Sequence, residues 1–140
     1  MAGEIWWRSV VLDTTDCRGL AEFYRGLLGW EYEPGFELPP DGEPDPWGED
    51  WLVLLPPGGS PRLAFQQVEA LPASSWPGTE VPQQLHLDLA VHDRGTLRDK
   101  HELALRLGAQ VLHDGWDEEQ AIYIYADPSG HPFCIFVHDS

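Results

Sequence analysis

Two stretches decide the fold: SVVLDTTD, residues 9–16, and HLDLAVHD, residues 86–93. They lie 77 residues apart, and each ends in an Asp that feeds an amphipathic segment. In the first half, Leu20, Phe23, Tyr24, Leu27 and Leu28 recur at helical spacing from Cys17 onward. Gly29 follows as the stop, and Asp13 to Asp16 offers N-cap candidates. In the second half, Asp93 and Thr96 cap a helix expected from about Leu97 to Leu107, closed by Gly108.

Strand signals surround both helices. Residues Ile5 to Leu12, rich in Trp, Val and Ile, read as the first strand. Trp30 to Tyr32, Trp51 to Leu55 and Arg62 to Val68 follow the first helix. In the second half Leu85, Leu87, Leu89 and Val91 alternate with His86, Asp88, Ala90 and His92, giving one apolar and one polar face. Ala109 to Leu112, Ala121 to Tyr125 and Phe133 to Val137 complete the set, with Asp127-Pro128-Ser129-Gly130 as a turn. Each half therefore reads strand, helix and then three strands. One such half leaves a sheet face open, and pairing of the halves is expected to cover it.

The rest is connection. Residues 33–50 hold five prolines, three glycines and seven acids and read as a long exposed loop. Residues 70–82 are Pro-rich and read as the link between the halves. A length of 140 residues suits one domain, 1–140, with modules at about 4–69 and 84–138.

Composition narrows the partners. With 24 acidic and 8 basic residues the formal net charge is −16, which argues against nucleic acid and anionic membrane surfaces. It does not make a substrate cationic, because a pocket can differ from the surface average. The N-terminus MAGEIWWRS has no leader character, and no apolar run is long enough to span a bilayer, so a cytoplasmic location is expected. Cys17 and Cys134 are too few for a disulfide framework or a Cys-rich metal site. There is no GxSxG, Walker loop or dinucleotide fingerprint.

FYRGLLGWE (23–31), RLAFQQV (62–68), WP (76–77) with PQQLHLDLAVHD (82–93), LALRLGAQVL (103–112) and DPSGHPFCIF (127–136) resemble the glyoxalase/bleomycin-resistance, or vicinal oxygen chelate, superfamily. The likeness is nearest to its actinobacterial glyoxalase-like branch. It implies an α+β fold of two βαβββ modules forming a curved mixed sheet around a cavity, often as a homodimer. It also implies four metal-ligand positions in metal-using members. Here they fall on Ser9, His86, Cys134 and Ala64, or Gln66 if the register shifts by two. Only His86 is a convincing ligand, and a catalytic metal needs about three. A metal-free site is therefore favoured; a divalent metal, if bound, would use His86, Cys134 and Gln66.

The leading function is binding of a small organic metabolite or drug in an aromatic-lined cavity. His86, Gln66, Arg62, Ser9, Cys134, Trp47 and Trp51 are the expected contacts. Trp47 sits in the acidic loop, which could fold over a pocket mouth, and Arg8 or Arg62 could meet an acidic group. Trp6 and Trp7, adjacent on the first strand, are expected on opposite faces. The alternatives are a lyase, isomerase or dioxygenase-like enzyme using a divalent metal, and a structural dimer without a working cavity. His101 and Asp88 are expected to be structural, and His131 a turn residue.

Overall fold

The computed structural model describes residues 3–138. Met1 and Ala2, part of the stretch read for a leader, and residues 139 and 140, the end of the expected domain, lie outside them. The chain divides into two compact units between Leu71 and Pro72.

In the first unit β1 (Ser9–Thr14) leads into α1 (Cys17–Leu28), followed by β2 (Glu31–Tyr32), β3 (Trp51–Leu55) and β4 (Arg62–Gln67). The Asp16 carboxylate accepts the Gly19 N–H at 3.1 Å and starts α1. Gly29 ends it at φ 71°, a backbone state that a side chain disfavours. The strands form a sheet in the order β1-β4-β3-β2, with β1 parallel to β4 and the other pairs antiparallel. Period-two alternation sorts their side chains. Leu12, Leu63, Phe65, Leu52 and Leu54 turn toward α1 and are buried with Leu20, Tyr24 and Leu27; Tyr24 stacks on Phe65 at 6.0 Å.

The second unit repeats this order. β5 (Leu87–Val91) leads into α2 (Arg94–Leu107), then β6 (Gln110–Gly115), β7 (Ile122–Ala126) and β8 (Pro132–Val137). Its sheet runs β5-β8-β7-β6, again with one parallel pair, β5 with β8. Leu89, Phe133, Ile135, Tyr123 and Tyr125 share the α2 side. There Tyr125 stacks on Phe133 at 4.9 Å, and His101 of α2 stacks on Tyr123 at 3.8 Å. His101 Nδ1 lies 2.8 Å from the Tyr125 hydroxyl, the packed role expected of it. Burial first, and then Arg98, hold its imidazole below the ordinary value. Asp127 is buried and accepts the Ser129 and His131 N–H groups, which builds the turn before β8.

One expectation about the fold is overturned. Instead of one curved sheet around a cavity, there are two open four-stranded mixed sheets, neither closed nor strongly curled. Each sheet hides one face under its own helix, so it has no need to close on itself. At one edge β2 is only two residues long and offers little for extension.

Smaller differences have local causes. β1 starts at Ser9, where its register with β4 begins at Ser9↔Arg62. Ile5, Trp6 and Trp7 lie outside it and are exposed, so the two tryptophans do not straddle the sheet. α2 starts three residues earlier than expected because Asp93 alone is the cap, accepting the Thr96 N–H at 2.7 Å. Residues 72–82, most of the 70–82 stretch read as a link, belong with the second unit: a Cβ on Gly130 would come within 2.7 Å of the Ala73 Cβ.

Candidate functional site

The helix-free face of the second sheet carries the chemistry. β5 pairs in register with β8, so Asp88 stands opposite Cys134, and β7 places Ile124 opposite Cys134 and Ile122 opposite Phe136. All of these point away from α2. His86, just ahead of β5, brings its Nε2 to 3.1 Å from Asp88 Oδ1. The Cys134 thiol donates to the same oxygen at 2.9 Å. The three donor atoms lie within 4.8 Å of one another.

Their surroundings differ. His86 and Asp88 are exposed, while Cys134 is 5% exposed. Burial first, and then the Asp88 carboxylate as acceptor and negative neighbour, push the Cys134 thiol up to about 12. As it stands the thiol is a neutral donor and a poor nucleophile.

A pocket of about 300 Å³ opens on this face. Its walls include Trp76, Ile122, Ile124, Pro132 and Phe136, and its polar groups are His86, Asp88, Cys134, Gln83 and Gln120. Gln120 donates its side-chain amide to the Val137 carbonyl. Gln83 Oε1 is buried without a hydrogen-bond partner.

Nitrogen, oxygen and sulfur donors in this number suit a divalent cation of the zinc type. The present 2.9 and 3.1 Å separations are hydrogen-bond distances to one oxygen. Ligands around a tetrahedral zinc stand about 3.5 Å apart, so the three would have to spread slightly and Cys134 would have to lose its proton. The donor set thus fits a divalent metal: His86, Asp88 and Cys134 would hold it. When bound, such an ion polarises a substrate oxygen.

The residues expected from sequence fall in both units. His86 and Cys134 come together as described. Ser9, Trp51, Arg62 and Gln66 share the helix-free face of the first sheet by register. Ser9 and Trp51 are partly buried and Gln66 is exposed. Arg62 Nε lies 2.9 Å from Glu33 Oε1, though off the N–H direction of a hydrogen bond, and Arg8 reaches Glu33 at 3.3 Å. Both arginines are therefore already matched to a carboxylate. Trp47 lies in a 3-10 helix, Trp47–Glu49, against Phe36 and is 48% exposed. Its loop is fastened to α1 by Arg18. That guanidinium holds Asp45 through two hydrogen bonds of 2.8 and 2.7 Å, caps the Phe36 and Glu37 carbonyls and sits over the Tyr32 ring.

Sequence reasoning missed Asp88, Gln83 and Gln120. The His-x-Asp alternation did place His86 and Asp88 on one side of a strand. What it lacked was the β5–β8 register, which sets Cys134 beside them.

The glyoxalase-like domain profile matches residues 9–136. The chain belongs to this family. It lies within the glyoxalase/bleomycin-resistance superfamily, and solved structures agree on the fold. A glyoxalase/bleomycin resistance protein/dioxygenase family enzyme from Burkholderia phytofirmans PsJN is 15% identical; the match covers 92% of this chain and 95% of that one at a TM-score of 0.65. The fosfomycin resistance protein FosX from Mesorhizobium loti is 14% identical over 99% of this chain and 94% of that one, at 0.64. Lactoylglutathione lyase from Agrobacterium tumefaciens is 17% identical over 96% and 95%, at 0.58. Likeness at these identities concerns the fold alone. No curated protein matches the chain. Among the described residues, no helix is long and apolar enough to cross a membrane.

Proposed function

We propose that this glyoxalase-like protein binds a small organic molecule on the helix-free face of its second sheet. The observation that carries this reading is the 300 Å³ pocket, whose apolar and aromatic walls end in a compact polar group, His86-Asp88-Cys134. That size lies at the lower end of about 300–1,000 Å³ for small-molecule sites, and a few placed polar groups on apolar walls is their usual composition. Burial against Trp76 and Phe136 would supply affinity, and the triad would orient the ligand. Ser9, Trp51, Arg62 and Gln66 enter the proposal only as members of the first sheet's own helix-free face.

A second reading is favoured by the same triad: a divalent-metal enzyme with His86, Asp88 and Cys134 as ligands. The two readings separate on a chelator-treated sample. A saturable change in Trp fluorescence with an organic ligand panel, persisting in chelator and reduced in Trp76→Phe, is the expected result. No saturation with any member would overturn the binding reading. Elemental analysis giving about one metal per chain, lost in Cys134→Ala and His86→Ala, would establish the metal enzyme instead.

The remaining expectations belong to the same proposal. The acidic excess of 24 over 8 supports a cytoplasmic protein that avoids nucleic acid, and the residue resemblance supports a single domain, a homodimer and the actinobacterial branch.

A further inference from the structure

The pocket has a charge preference built into its lining. Its titratable groups are His86, Asp88 and Cys134, and it is lined by no Arg or Lys. Arg8 and Arg62, the cations that sequence offered for an acidic ligand, lie in the first unit and pair with Glu33. Asp88 is the carboxylate of the lining.

The hydrogen-bond inventory points the same way. Both contacts to Asp88, from Cys134 and His86, use Oδ1. Among the described residues none hydrogen-bonds Oδ2. Gln120 gives one of its two amide N–H groups to the Val137 carbonyl. The lining thus holds a carboxylate oxygen open to a donor, and no Arg or Lys, above walls of Ile122, Ile124, Phe136 and Trp76.

We propose that the pocket selects an organic cation: an ammonium group, rich in N–H donors, on a compact apolar or aromatic skeleton. This rests on the binding reading above and names its ligand class. The ammonium would donate to Asp88 Oδ2, and the skeleton would lie against Phe136 and Trp76. A carboxylate or phosphate ligand would meet Asp88 with no Arg or Lys in the lining to offset it.

The test is a matched trio titrated into the full chain at pH 8 in chelator: 2-phenylethylammonium, 2-phenylethanol and 3-phenylpropionate. At that pH an alkylammonium is charged. Binding is followed by NMR shifts at Ile122, Ile124 and Cys134. The ammonium should bind about fivefold to tenfold more tightly than the alcohol, the range of a charge-assisted hydrogen bond at a half-exposed carboxylate. The carboxylate should bind more weakly than the alcohol. Asp88→Asn should bring the ammonium down to the alcohol's affinity, whereas Asp99→Asn, an equal charge change on exposed α2, should not. Alcohol or carboxylate binding as tightly as the ammonium would overturn the charge preference and leave the binding reading intact. So would equal effects of Asp88→Asn and Asp99→Asn, which would assign the preference to the general acidity of the chain. No shift with any of the three would overturn both.

Discussion

Asp88→Asn perturbs the triad by removing one charge while leaving an oxygen to accept the Cys134 S–H. The carboxylate is the second cause, after burial, of a thiol held up at about 12 against an ordinary 9.0. At pH 9 such a thiol is about one part in a thousand ionised. The Asp88 side chain is 59% exposed, so its field is partly screened. Charges about 4 Å apart interact by about 1 kcal/mol in water and about 4 kcal/mol near a protein surface. Taking the lower half of that range for a solvated carboxylate gives a fall of about one to two pK units. The thiolate fraction at pH 9 should then rise by about tenfold to a hundredfold. A less basic thiolate is a weaker nucleophile, which returns about half of that gain on a logarithmic scale. Alkylation of Cys134 by iodoacetamide, followed by peptide mass spectrometry, should therefore accelerate about threefold to tenfold. Its pH profile should move down without reaching the ordinary value, because burial remains. Cys17, buried in the first unit and raised to about 11, should not change and serves as the internal reference. Labelling of Cys134 that is unchanged or slower, with an unmoved profile, would refute the role given to Asp88.

Three further predictions concern stability. Cys17 and Cys134 both have raised folded values, so their contribution is full below about pH 9 and is lost as pH climbs toward 11 and 12; urea midpoints should fall less steeply above pH 9 in Cys17→Ala than in the natural chain. His101 has a lowered folded value, so its contribution is present above the ordinary 6.5 and is lost as pH falls below it; His101→Phe should flatten the decline in unfolding free energy between pH 6.5 and 5. Arg18→Ala removes a paired guanidinium and two carbonyl contacts at once. It should cost about 2–3 kcal/mol in urea unfolding and speed proteolysis within residues 36–46, whereas Arg25→Ala, an exposed pair with Glu22, should cost under about 1 kcal/mol.

Local chemistry was the legible part of this sequence. Asp16 with Gly29 and Asp93 with Gly108 bound the helices because cap and stop residues act within a turn of themselves. Trp51 to Leu55 was bounded correctly by the loops on either side. Long-range pairing was not legible. Nothing near Arg18 marks it as the anchor of the acidic loop, since its partner Asp45 is 27 residues away. Nor did alternation alone reveal that β1 and β4, or β5 and β8, run parallel at one side of open sheets rather than contributing to one curved sheet.

The same pairing explains why the two units differ in chemistry while agreeing in fold. The 77-residue offset sets Leu12 against Leu89 and Val10 against Leu87, apolar on both sides of the comparison. Their strand partners, Phe65 and Leu63 in one sheet and Ile135 and Phe133 in the other, are apolar too. All face a helix, where exchanging an apolar residue for a polar one would strand a polar group in a packed layer. On the helix-free faces the same offset sets Ser9 against His86 and Val11 against Asp88. The register then sets Ala64, partner of Val11, against Cys134, partner of Asp88. A hydroxyl, an isopropyl and a methyl group thus stand where the second sheet has an imidazole, a carboxylate and a thiol. Packing against the unit's own helix constrains one set of positions and leaves the other to vary, so a repeat that is regular in its strands can still be one-sided in its ligands.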